Sequence, residues 1–82
     1  MSAALNAEVY FASGLASLGK LDYIKAIRDF TEAILLDPKI SSAYDNRGDA
    51  YLRQRNFEKA MSDYTEALEP NLMYPVMETA IM

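Results

Sequence analysis

Shifted by 34 positions, the chain falls on its own second half, and this repeat restricts the fold more than any other feature. Tyr10 meets Tyr44, Gly14 meets Gly48, Ala16 meets Ala50, and Leu18 meets Leu52. Lys25 then meets Lys59, and Ala26 meets Ala60. The run Asp29, Thr31, Glu32, Ala33 lands on Asp63, Thr65, Glu66, Ala67, giving ten identities in the thirty pairs of 7–36 with 41–70. Average composition would give about two. Tyr23 with Phe57, Phe30 with Tyr64 and Ile34 with Leu68 extend the match conservatively. A unit of this length cannot bury its apolar face alone, so it must stack on a neighbour.

Each unit divides into two helices. Apolar residues recur at helical spacing over residues 7–19, and Gly19-Lys20-Leu21 interrupts them. Asp22 stands where an N-cap is needed, and a second periodic stretch runs to Leu36. Asp37-Pro38 closes the unit, because proline disfavours helix in the residue before it. Ser41 or Ser42 is predicted to cap a third helix ending near Arg53, and Asn56 a fourth ending before Pro70. Turns this short require antiparallel neighbours. Gly14 and Gly48 remove side chains where the helices of one unit come closest, with Ala26 and Ala60 doing the same from the other side. Tyr10, Tyr23, Phe30, Tyr44, Phe57 and Tyr64 are predicted to fill the space between helix pairs.

These positions give the chain its resemblance to the tetratricopeptide repeat family. That pattern runs aromatic, leucine-glycine, tyrosine, alanine, aromatic, proline. The first unit reads Tyr10, Ser13-Gly14, Ser17, Ala26, Phe30, Pro38, and the second Tyr44, Arg47-Gly48, Tyr51, Ala60, Tyr64, Pro70. The resemblance implies an all-α fold, with antiparallel helix-turn-helix pairs stacked as a right-handed α-solenoid: about four helices plus a short C-terminal helix. Residues 1–82 would form one domain, with repeat one at about 7–40, repeat two at about 41–70 and a capping or swapping segment at 71–82. Three positions depart from the pattern. Ser13 and Arg47 replace leucine, which predicts looser packing there; Ser17 replaces tyrosine; and Pro70 comes two residues early, shortening the fourth helix.

Members of the family generally bind other polypeptides on the concave face lined by the first helix of each pair. Carried over by position, that face holds Glu8, Phe11, Ala12, Leu15 and Gly19 in unit one. In unit two it holds Ser42, Asp45, Asn46, Asp49 and Arg53. Phe11, Ala12 and Leu15 thus become Asp45, Asn46 and Asp49, which predicts an apolar floor beside an acidic stretch. Such a groove suits a partner peptide or helix bearing an apolar anchor and a lysine or arginine. Asp45 and Asp49 could equally serve only to solvate an exposed face. Some co-chaperones of the family clamp a partner's C-terminal carboxylate here with lysine, arginine and asparagine. Only Asn46 matches that set, and Phe11 and Leu15 stand where a basic and an amide residue would be needed, so the resemblance disfavours that mode.

Composition narrows the chemistry. The chain has 82 residues, no cysteine, no histidine and a net charge of −4. It therefore lacks disulfides, soft metal ligands and a neutral-pH proton shuttle. Its acidic balance suits neither nucleic acid nor anionic membrane, where basic residues must meet phosphates. No apolar run approaches the roughly 18 residues that span a bilayer. Met1–Leu5 carry no basic start or apolar stretch, so a secretory signal is not expected and cytoplasmic residence is. The carboxylate pairs Asp29/Glu32 and Asp63/Glu66 recur with the repeat, which points to structure or solubility rather than acid–base work. Ser13 and Ser17 have no histidine to activate them, and Asp45/Asp49 on one turn do not make a calcium loop. Neither an enzyme nor a cofactor is expected.

A second function class remains. The first helix is apolar nearly all round, with Val9, Tyr10 and Ala16 on one side and Phe11, Leu15 and Leu18 on another, and such a helix is expected to be covered on both sides. Two units also fall short of the three or so that a stack usually needs. A homo-oligomer answers both points: Phe11 and Leu15 would meet the C-terminal segment of another copy, through Leu72, Met73, Tyr74, Val76, Met77 and Ile81. Methionine-rich surfaces suit such contacts. Pro75 fits the first turn of a short helix, which could instead cap its own chain.

Overall fold

A computed structural model of the chain describes residues 3–68, all α-helix and turn, with no strand among them. Helix α1 is Ala3–Gly19, α2 is Tyr23–Leu36, and α3 is Ser41–Arg53. The fourth, α4, occupies 57–68. Helix α1 therefore begins before residue 7, where the periodic pattern becomes readable. The expected C-terminal helix and the early end imposed by Pro70 lie outside the described residues. Among the described residues, no helix is long and apolar enough to cross a membrane.

The turns follow local chemistry. Asp22 caps α2, its carboxylate accepting the Lys25 N–H at 3.2 Å. Asn56 does the same for α4 through the Lys59 N–H at 3.3 Å. The residues that reverse the chain are not glycines. Leu21 (φ 63°) and Arg55 (φ 64°), one repeat apart, take the left-handed conformation that lets Asp22 N–H reach Ser17 O and Asn56 N–H reach Tyr51 O, both at 2.9 Å. Gly19 ends α1 with an ordinary φ. Ser41 and Ser42 do not cap α3. Its N-cap is Ile40, with no side-chain cap. The Asp37 backbone and carboxylate close that turn instead, accepting Ile40 N–H and Lys39 N–H at 3.1 Å each, while the Ile40 side chain packs on the core. An apolar anchor thus holds this helix start where a hydroxyl was expected.

The core is small and built on close backbone approach. Ala7, Ala26, Phe30, Ala33, Ala43 and Ala50 are completely buried, and Phe30 is the bulkiest such side chain among the described residues. A methyl group added at Gly14 would lie 2.5 Å from Phe30 Cε1, and one at Gly48 2.9 Å from Tyr64 Cε1. Each glycine therefore makes room for the aromatic ring of its own unit. The six aromatics do not act alike: Phe30 fills the centre, Tyr44 packs against the same cluster, and Tyr10 and Phe57 stay exposed. Ala43 of α3 joins Ala26, Phe30, Ala33 and Ile34 of α2 in one cluster, so the second unit sits directly on the first.

Ser13 and Arg47 make polar ties at the positions where the family pattern has leucine. Asp29 and Asp63, both buried, stand across from them. Ser13 Oγ donates to Asp29 Oδ2 at 2.7 Å, and Lys25 Nζ donates to the same oxygen at 2.9 Å. In the second unit, Arg47 holds Asp63 in a fork, Nε to Oδ2 and NH2 to Oδ1 at 2.8 Å each, and its NH1 reaches back to Thr31 Oγ1 of the first unit at 3.0 Å. A planar guanidinium matched to a carboxylate fixes both partners. The leucine position has become a polar tie in each pair, and in unit two also a tie between pairs.

Candidate partner-binding face

The residues assigned to the partner face lie on α1 and α3 at spacings of three to four, which keeps each set on one side of its helix. Glu8, Ala12 and Leu15 are exposed along α1, and Ser42, Asp45 and Arg53 along α3. Phe11 is half-buried. Its ring centroid lies 5.8 Å from that of Phe30, with the planes at 50°, so Phe11 belongs partly to the core. Asn46 is half-buried, and its side-chain N–H donates to Ser42 O at 2.8 Å within its own helix.

The acidic half is the better organised. The Tyr64 hydroxyl of α4 donates to Asp49 Oδ1 at 2.5 Å, tying that carboxylate to the neighbouring helix. Burial, then this hydrogen bond, then the negative charges of Asp49 and Asp45 push the Tyr64 hydroxyl up to about 12, with Arg53 opposing slightly. Asp45, Asp49, Arg53 and Tyr64 therefore share one electrostatic neighbourhood. Beside it, Ser41, Ser42, Asp45, Tyr64, Ala67 and Leu68 line an open cleft of about 390 Å³ between α3 and α4. Tyr64, Ala67 and Leu68 of α4 border these carboxylates, and a sequence reading confined to the first helix of each pair did not include them.

On α3, Arg47 lies over Tyr44 (5.6 Å) and Tyr51 (5.9 Å), and Lys59 of α4 lies over Tyr51 (5.6 Å). The polar ties across each hairpin did leave a signal in the sequence. In both units a polar residue at the leucine position precedes an aspartate by 16 residues, and those residues face each other across the hairpin.

The tetratricopeptide repeat description matches residues 7–40 and again residues 41–69. The chain belongs to the tetratricopeptide repeat family. It is 40% identical over 58 residues to human tetratricopeptide repeat protein 6, a match covering 68% of this chain and 11% of that protein. It is 46% identical over 56 residues to tetratricopeptide repeat protein 36 of Caenorhabditis elegans, covering 68% of this chain and 30% of the relative. It is also 40% identical over 57 residues to the Hsp70-Hsp90 organizing protein 3 of Arabidopsis thaliana, covering 70% of this chain and 10% of that protein. The chain thus spans less than a third of each relative's length. As a tetratricopeptide repeat chain, it carries a module of protein–protein interaction.

Proposed function

We propose that the chain is a polypeptide-binding adaptor that takes a segment with an apolar anchor and a basic residue, and that it carries no catalysis. Leu15 and Ala12, exposed on α1, offer the apolar contact, and Asp45 and Asp49 on α3 meet the basic group. The observation that carries this reading is the Tyr64–Asp49 hydrogen bond beside the cleft that Asp45 lines. A carboxylate already fixed by its neighbour loses little freedom when a cation arrives, so less of the attraction goes into ordering it. The name of the organizing-protein relative supports polypeptide binding in general. Of the carboxylate-clamp residues only Asn46 is matched, so a different ligand class is favoured.

The test is a titration with labelled peptides pairing leucine or phenylalanine with lysine or arginine. Asp45→Lys is expected to weaken binding roughly tenfold or more and to reduce its salt dependence. Equal affinity for Asp45→Lys and the unaltered chain would remove the electrostatic half of the proposal. The self-assembling alternative, through Phe11, Leu15 and residues 72–82, lies largely outside the described residues. Deleting 72–82 separates the two readings: assembly would be lost on that alternative, and peptide binding retained on the first.

A further inference from the structure

The repeat supplies its own control for burial, because equivalent positions sit in different surroundings. In unit two, Ile40, Ala43 and Tyr44 press against the core of unit one, and Ala50 is completely buried. The equivalent residues of unit one are Asn6, Val9, Tyr10 and Ala16. Val9 is 61% exposed where Ala43 is 0%, and Ala16 is exposed. Asn6, Val9 and Tyr10, with Glu32 and Leu36, line an open cleft of about 420 Å³. The surface that unit two uses to seat itself therefore has an exposed counterpart on unit one among the described residues, with Asn6 in place of Ile40.

The complementary surface is exposed on α4 among the described residues. In unit one, Tyr23 and Ile27 are half-buried and Ile34 is only 8% exposed, within the cluster that receives α3. Their equivalents on α4 are Phe57, Met61 and Leu68, all exposed, Met61 at 65% and Leu68 at 57%. One chain thus carries both halves of a junction that it already makes internally.

We infer that a second copy of this chain docks head-to-tail, its α4 face of Phe57, Met61 and Leu68 seating on the Val9, Tyr10 and Ala16 face of α1. The contact continues the α2–α3 packing across molecules. Val9 is bulkier than Ala43, and Met61 in place of Ile27 supplies the unbranched, adaptable side chain that can yield to it. A head-to-tail contact uses two different patches and does not close on itself at two copies, so assembly is open-ended. Phe11 already packs against Phe30, which leaves the Val9 side as the more available apolar surface of α1. The inference shares Leu68 with the cleft beside Asp45 but does not require peptide binding on the α1–α3 face.

The experiment uses two full-length variants, Ala16→Arg and Met61→Arg, each altering an exposed residue and blocking one face. Circular dichroism first verifies that both keep the helix content of the unaltered chain. Sedimentation equilibrium from micromolar to millimolar concentration is then run on each alone and on an equal mixture. The unaltered chain should grow past dimer with concentration. Each variant alone should stay monomeric, its association weakened at least roughly a hundredfold by a charge buried without a partner. The mixture should form dimers and stop there, because each variant keeps only the face the other lacks. An unaltered chain that stays monomeric overturns the inference. So does a variant that dimerises alone, which would mark a symmetric contact elsewhere, and so does a mixture that yields no dimer. Peptide affinity measured on monomeric Ala16→Arg reports separately on the groove, so the two readings can fail independently.

Discussion

Gly14→Ala is ordinarily a stabilising change in the middle of a helix, by about 1 kcal/mol of helix propensity. Here the new methyl carbon would lie 2.5, 2.7 and 2.9 Å from Phe30 Cε1, Cδ1 and Cζ, where relaxed carbon contacts need about 3.5–4.0 Å. Phe30 cannot move aside cheaply: it is completely buried, Phe11 lies against its ring, and Ala26 and Ala33 of the same cluster are fully buried too. Overpacking of this kind costs up to about 3 kcal/mol. After the propensity gain, a net loss of about 2 kcal/mol remains, or about 10 °C in Tm for a domain of this size. Two companion variants calibrate the reasoning. At Gly48 the nearest atoms are the Tyr64 ring at 2.9 and 3.0 Å and Ala60 O at 3.3 Å, and Tyr64 is only half-buried, so Gly48→Ala should lose about 1 kcal/mol or less. Gly19 has nothing within 4 Å and an ordinary φ, so Gly19→Ala should be neutral or gain up to about 1 kcal/mol. Urea unfolding followed by far-UV circular dichroism ranks the three. A Gly14→Ala chain as stable as the unaltered one, or less damaged than Gly48→Ala, would refute the close-approach account.

The remaining predictions concern the polar ties and the turns. Arg47→Ala leaves the buried Asp63 without its fork and should cost about 3 kcal/mol, whereas adding Asp63→Ala should cost less than the sum of the single changes; a double-mutant cycle by urea unfolding reads both. At Asp29, burial raises the carboxyl, but hydrogen bonds from Ser13 and Lys25 and the charges of Lys25 and Arg28 outweigh it and hold the group below its ordinary 3.8. A depressed folded value means that this stabilisation is present above the unfolded carboxyl range and is lost as pH falls through it towards the folded value; Ser13→Ala should flatten that acid loss when urea midpoints are compared between pH ~6 and ~3. Leu21→Gly should stabilise by about 0.5–1 kcal/mol, because the left-handed φ at that exposed position is costly for a side chain but not for glycine; thermal unfolding measures it.

The four helices were legible in the sequence because their signals are local: apolar spacing, Asp22 and Asn56 as caps, and Asp37-Pro38 as a stop. The repeat identified the points of closest approach as well, since Gly14 and Gly48 recur with a ring one helix later. Capping of α3 was misread because Ser41 and Ser42 are good caps in isolation, while Ile40 gains more from the core that the previous unit presents. The polar ties of Ser13 and Arg47 were not foreseen because the carboxylates that answer them lie 16 residues away, on the opposite helix.

Along the partner face, the sequence placed residues by their position on a helix, and it could not say which of them another helix would engage. Tyr64 reaches Asp49 only because α4 folds back against α3 and brings its hydroxyl there. The same holds for equivalent faces of the two units. Val9 and Ala43 are equivalent in the repeat, yet one is exposed and the other completely buried. By itself the sequence determined the helices, their period and their antiparallel order, since spacing, caps and turns act within a few residues. Only the tertiary structure decided which equivalent surfaces are covered and which carboxylates are tied, because burial depends on what lies against a residue and not on the residue itself.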